Sequence, residues 1–294
     1  MSGADAVQQP IFILGTGRSG TTLFFDLLAF HPELAWFSNY DERFPGLGLG
    51  ILTRVHDLPF MHRLLNRHSR YVPRPLESYR MLDRCTEGLF TLRRNLTDAD
   101  VTPGIRERFY SLVRRQLRLQ GKRRFITKYT GVPRIGFMRE VFHDALFIHV
   151  LRDGRAVANS LLRVDWWPGD ESGWRYGEIP EPYRKEYQES GRHPVVFAGI
   201  AWKMLMDVIE SECSLLPEER LLRIRYDEII RDSTGVMQRA ADFCGLPWTD
   251  SFARHVQSEP VSDMDTKWTR QLSEPDREIL QRSIGSTLRK YGFD

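Results

Sequence analysis

Eight consecutive residues, Gly15, Thr16, Gly17, Arg18, Ser19, Gly20, Thr21 and Thr22, put glycines, hydroxyls and one cation into a GxxxxG spacing followed by two threonines. They follow the short apolar run from Ile11 to Leu14 and precede a segment with helical apolar spacing. A glycine loop between a strand and a helix presents backbone N–H groups and the positive end of a helix dipole, which suits a phosphate. Thr21 and Thr22 add hydroxyl donors. The nucleoside-triphosphate version of such a loop, GxxxxGK[ST], carries a lysine directly after the last glycine to reach the terminal phosphates. Here Thr21 stands in that place, and the nearest cation, Arg18, lies inside the loop. The loop says phosphate, and its missing lysine argues against an ordinary triphosphate.

A second strand-to-helix turn follows the apolar run from Ala145 to Leu151 and holds Arg152, with Ser160 about two helical turns further on. Arginine offers a planar fork to phosphate oxygens at the C-terminal end of a strand, where ligands bind in open α/β sheets. Taken together, the two turns resemble the sulfotransferases that use 3′-phosphoadenosine 5′-phosphosulfate (PAPS). In that family the first loop reads PxxSGTT or PRSGTT with a cation at the place of Arg18, although Gly17 stands where proline often occurs. The resemblance runs from Ile11 to Arg270 and is weakest between Phe44 and Lys122.

The resemblance implies that Gly17, Arg18, Ser19, Gly20, Thr21 and Thr22 hold the 5′-phosphosulfate, and that Arg152 and Ser160 hold the 3′-phosphate, which must be paired if enclosed. It further implies that Tyr226 touches the adenine and that Lys267 and Trp268 close over the nucleotide. Cytosolic members carry a histidine in a KxH segment; here Lys128 is kept and Thr130 replaces the histidine. That departure places the chain nearer the tyrosylprotein, heparan and bacterial branches, which use a carboxylate as base. Glu42 is the expected base, with Asp41 beside it as the alternative, and Arg18 and Lys128 are expected to stabilise the departing phosphate. The implied co-substrate is PAPS, the implied product adenosine 3′,5′-bisphosphate, and the acceptor a hydroxyl- or amine-bearing small molecule, glycan, lipid or peptide. No metal is expected, since no HExxH or carboxylate cluster calls for one. The competing readings are a P-loop kinase or NTPase and a catalytically silent nucleotide-binding protein.

The elements that must carry these residues alternate. Strands are expected at Ile11 to Gly15, Leu34 to Ser38, Arg124 to Tyr129, Ala145 to Leu151 and Arg220 to Tyr226, with helices between them from Thr21 to Ala29, around Ile135 to Phe142, after Arg152, from Val195 to Ser211 and from Thr234 to Cys244. That order predicts an α/β fold: a three-layer parallel sheet with helices on both faces, P-loop-like, in one domain over residues 1–294. A helical insertion is expected at about 61–120, a loop at 41–60, and an aromatic substrate-capping segment at about 165–194.

The composition fits this frame. A chain of 294 residues that is 41% hydrophobic can bury a sizeable core, and a net charge of +3 with 28% charged residues does not indicate a nucleic-acid binder. Cys85, Cys213 and Cys244 are scattered and odd in number, which argues against a disulfide framework and for a reducing, cytoplasmic setting. Neither a signal peptide nor a membrane anchor is expected from the polar start of the chain.

Overall fold

In the computed structural model, residues 6–58, 69, 71–92 and 94–293 are described. Five parallel strands form the sheet: β1 (Ile11–Gly15), β2 (Leu34–Ala35), β3 (Arg124–Thr130), β4 (Leu146–Leu151) and β5 (Leu221–Arg225), in the order β2-β3-β1-β4-β5. β1 lies in the middle, pairing Ile13 with Lys128 on one side and with Ile148 on the other. The loop after β1 and the turn after β4 therefore open side by side at the same end of the sheet.

Side chains alternate across a strand, and the sequence fills both faces. Ile11, Ile13, Ile148 and Val150 pack with Phe24, Phe25 and Leu28 of α1 (Thr21–Ala29) and with Met237 and Ala240. Phe12, Leu14 and Phe147 face the other way, against Phe109, Val113, Phe137 and Ile209. All five residues of β1 are buried, as the unbroken apolar run requires. The expected α/β sheet with helices on both faces is what the chain forms.

Among the described residues the helices that follow α1 are, in chain order, α2 (Asn39–Arg43), α3 (Tyr79–Cys85), α4 (Pro103–Gln120), α5 (Ile135–Val141), α6 (Gly154–Leu161), α7 (Glu181–Glu189), α8 (Pro194–Cys213), α9 (Tyr226–Arg231), α10 (Ser233–Cys244), α11 (Asp250–Ser258), α12 (Trp268–Gln271) and α13 (Glu274–Lys290). Three expectations change in detail. The second strand is only Leu34–Ala35, because Ser38 instead caps α2, accepting from the Asp41 amide while Asp41 accepts from the Ser38 amide. Residues 41–60 are not all loop, since α2 and a 3₁₀ segment, Leu49–Asp57, occupy much of them. In the expected helical insertion, residues 61–68, 70 and 93 lie outside the described residues; the remainder holds α3, α4 and irregular chain.

The aromatic segment at 165–194 is ordered chiefly by burial. Trp167 and Trp174 are buried and pack around Phe197 of α8, with ring centroids 5.5 and 5.4 Å from it. Burial of such rings contributes more than their polar tips. Only part of the segment is left to face the site.

Candidate functional site

The glycine loop is shaped by three backbone requirements. Gly20, at the N-cap of α1, has φ +91°, and a Cβ there would lie 2.2 Å from the Tyr226 ring. A Cβ on Gly15 would meet the Ser19 hydroxyl at 2.5 Å and the Val150 carbonyl at 2.8 Å. Arg18 itself has φ +69°, a left-handed conformation that costs a non-glycine residue about 1–2 kcal/mol. Strain of that kind persists where the surroundings over-determine it, and here two contacts do. The Arg18 Nε donates to Ser160 Oγ at 2.9 Å, and its carbonyl accepts from Arg152 Nη1 at 2.9 Å.

The two turns are thus joined through the residues the sequence singled out. Arg152 is 7% exposed; besides the Arg18 carbonyl it donates from Nε to Asp265 Oδ1 at 3.0 Å and from Nη2 to the Met264 carbonyl at 2.6 Å. Its guanidinium lies 4.2 Å from the Tyr226 ring centroid. Burial pushes the Asp265 carboxyl above its usual range, against the pull of Arg152. A guanidinium has five N–H donors, so each terminal nitrogen keeps a hydrogen beyond these contacts. Thr16 Oγ1 and Ser19 Oγ on the loop are buried without a hydrogen-bond partner among the described residues. Buried hydroxyls of that sort are paired as a rule.

Gly17, Arg18, Gly20, Thr21, Thr22, Lys128 and Arg152 line one cleft of about 620 Å³, together with Glu77, Tyr79, Phe90, Thr130, Arg134, Trp166, Arg175 and Tyr176 among others. Lys128 ends up here because β3 pairs in register with β1; it is 7% exposed and forms an ion pair with Glu77. Thr130, where the cytosolic branch has histidine, also donates to Glu77 Oε1, at 3.4 Å. Burial, then the Glu77 charge, push the Tyr79 hydroxyl well above the ordinary phenol range, and Tyr79 also hydrogen-bonds Glu77.

The expected bases are placed elsewhere. Glu42 accepts from the Arg80 amide at 3.0 Å and faces the Arg80 guanidinium at 3.8 Å, at the start of α3 rather than on the cleft. Asp41 is 2% exposed and spent on structure: it binds the Ser38 amide and hydroxyl through Oδ2 and Gln116 Nε2 through Oδ1. Five of the expected nucleotide contacts are also not in the cleft lining: Ser19, Ser160, Tyr226, Lys267 and Trp268. Tyr226 is buried beneath Gly20 and Arg152, Lys267 is exposed, and Trp268 holds the Arg155 guanidinium 4.6 Å from its ring centroid. Arg155 in turn pairs with Asp153, which caps α6.

Residues the sequence did not single out complete the cleft: Glu77, Tyr79, Arg134, Trp166, Arg175 and Tyr176. Arg134 is 4% exposed, and its Nε and Nη1 lack partners among the described residues. Burial lowers its pKa despite Tyr79 and Glu77 nearby. The one available signal for Glu77 was its place between Pro73, Pro75 and Tyr79, an irregular polar stretch too long to be a mere turn.

A parallel α/β sheet with a glycine loop, a second arginine turn and a cationic cleft at the strands' C-terminal ends defines a group-transfer or nucleotide-binding protein of the P-loop-like class. A profile described as the Sulfotransferase family matches residues 59–250. Protein-tyrosine sulfotransferase A of Caenorhabditis elegans is 23% identical over 303 residues, covering 97% of this chain and 67% of that protein. The omega-hydroxy-beta-dihydromenaquinone-9 sulfotransferase Stf3 of Mycobacterium tuberculosis is 22% identical, covering 97% of this chain and 75% of its own length. The crystal structure of sulfotransferase STF9 from Mycobacterium avium superposes with a TM-score of 0.60 at 17% identity, over 98% of this chain and 78% of that one, and so shares the fold. The chain belongs to the sulfotransferase family. It is an enzyme that transfers a sulfuryl group, which decides among the readings the loop left open against the kinase and the silent binder. The glycine loop lies before the matched residues, so its assignment rests on the geometry.

Proposed function

We propose that this cleft passes the sulfuryl group of PAPS to a hydroxyl acceptor, within a single domain. The observation that carries the reading is the Arg18–Ser160 hydrogen bond together with the grip of Arg152 on the Arg18 carbonyl. It joins the loop suited to a 5′-phosphosulfate to the turn suited to a 3′-phosphate on one cleft wall. Arg18, Thr21, Thr22 and the loop amides would bind the 5′ end, and the remaining Arg152 hydrogens and Ser160 the 3′-phosphate.

In the reaction an acceptor oxygen forms a bond to sulfur as the bond from sulfur to the bridging phosphate oxygen breaks, leaving a sulfated acceptor and adenosine 3′,5′-bisphosphate. Lys128 and Arg18 offset the charge that collects on the departing phosphate. A sulfuryl group carries less negative charge than a phosphoryl group, so side-chain cations suffice for this task. The rest of the cleft, with Tyr79, Phe90, Trp166 and Tyr176, supplies apolar and aromatic walls for the acceptor. A cytoplasmic setting is supported by the three cysteines, all buried and unpaired, whose thiols burial pushes up to about 12. Among the described residues no helix is long and apolar enough to cross a membrane.

Thermal unfolding tests the donor assignment, because a ligand stabilises only by preferring the native state. Adenosine 3′,5′-bisphosphate is expected to raise Tm and ATP with magnesium is not. A rise with ATP and none with the bisphosphate would contradict the assignment.

A further inference from the structure

Sulfuryl transfer to a neutral hydroxyl releases a proton, and something must take it. Neither Glu42 nor Asp41 lines the cleft. Among the described residues that do line it there is a single carboxylate, Glu77, against five cations: Arg18, Lys128, Arg134, Arg152 and Arg175. Glu77 comes from an irregular segment that β2 and α2 draw across the end of the sheet. The Leu76 amide bonds the Phe37 carbonyl at 2.8 Å, and Ser38 forms an antiparallel bridge with Pro75. The Glu77 side chain, 16% exposed, then meets Lys128, whose side chain is 9% exposed.

Three neighbouring side chains hold this carboxylate: Lys128 Nζ and Thr130 Oγ1 both donate to Oε1, and Tyr79 hydrogen-bonds it as well. A carboxylate has about four acceptor sites, so these contacts fix its orientation without exhausting it. Tyr79 stands beside it, and Phe90, Trp166 and Tyr176 line the same cleft, Tyr176 with its hydroxyl close to Gly17 of the glycine loop.

We infer, on the basis of the donor reading above, that Glu77 is the general base for the acceptor hydroxyl and that Lys128 is coupled to it as a charge switch. As the acceptor oxygen bonds to sulfur, its proton passes to Glu77. The carboxylate becomes a neutral acid, its hold on Lys128 weakens, and the ammonium charge is released toward the phosphate oxygen from which sulfur departs. Proton, sulfuryl group and leaving charge balance without any further reactant. Lys128 is thus held back until an acceptor is present, and Thr130, in place of a histidine, keeps the carboxylate in position.

Turnover of PAPS with a series of phenols separates a base from a residue that merely positions Lys128. With un-ionised para-cresol, Glu77→Gln is expected to lower kcat at least about a hundred-fold, as loss of general-base catalysis does, with the Tm rise from adenosine 3′,5′-bisphosphate retained. With para-nitrophenol above its own pKa, which arrives already ionised, the loss is expected to be several-fold smaller. Glu77→Asp, which keeps a charge for Lys128 but withdraws it, should fall between native and Gln. Equal losses on both phenols would reduce Glu77 to a positioning residue and overturn the inference. So would undiminished turnover in Glu77→Gln, or loss in Glu42→Gln instead. Failure of the bisphosphate to stabilise the native chain overturns the donor reading itself.

Discussion

Arg152 shows how much one side chain can hold. Its guanidinium ties the loop carbonyl of Arg18, the Met264 carbonyl and Asp265, and lies over the Tyr226 ring, so a change in its shape disturbs both turns. Lysine keeps the charge and loses the fork. Since hydrogen bonds to charged groups contribute about 1.5–3 kcal/mol each, Arg152→Lys is expected to raise the KM for PAPS by roughly ten-fold or more, with a smaller change in kcat. Initial rates at varied PAPS check this, and an unchanged KM would remove Arg152 from the donor site. That Arg18, Arg152 and Ser160 meet was legible in the sequence because each sits at a fixed offset from a strand end, where local spacing and tertiary position coincide. Glu77 was not. A single glutamate in an irregular stretch has no periodicity, and it reaches the cleft only through the pairing of residues 75 and 76 with Ser38 and Phe37. Glu42, the expected base, is near in sequence to the sheet end but turned by α2 toward Arg80.

At the scale of elements, the strands and helices beside the two turns follow their apolar patterns within a residue or two, while the segments between them do not. The 165–194 stretch reads as a cap from its aromatics, yet two of its tryptophans are buried around Phe197 and only Trp166, Arg175 and Tyr176 line the cleft. Tertiary packing decided which rings turn inward. The sheet carries a cost of its own at His149, buried in β4 with neither ring nitrogen partnered among the described residues. Burial, with a smaller push from Arg223, lowers its pKa from 6.5 to about 3. Between those values the unfolded chain binds a proton that the folded chain refuses, so this residue's contribution makes stability fall as pH drops from 6.5 toward 3. One proton corresponds to about 1.4 kcal/mol per pH unit. Denaturant unfolding of His149→Leu is expected to show a slope shallower by about one proton near pH 5, the difference fading toward pH 7, and an unaltered slope would show that His149 is not held neutral.

For the molecule as a whole, charge is concentrated rather than abundant. The chain carries a net charge of +3, yet among the described residues five cations and one carboxylate line the cleft, which suits a donor bearing phosphates and a sulfuryl group. Everything else in the fold serves that placement: a central β1 buried on both faces, two turns opening together, and helices that seal the strands from water. The measurement that tests the account most directly is mass spectrometry of a metabolite extract incubated with the purified chain and sulfur-labelled PAPS. Labelled products heavier than their precursors by one sulfuryl group are expected, formed in equal amount with adenosine 3′,5′-bisphosphate and sharply reduced with Glu77→Gln. Labelled sulfate as the sole product, or sulfated products at the same rate from Glu77→Gln, would contradict it.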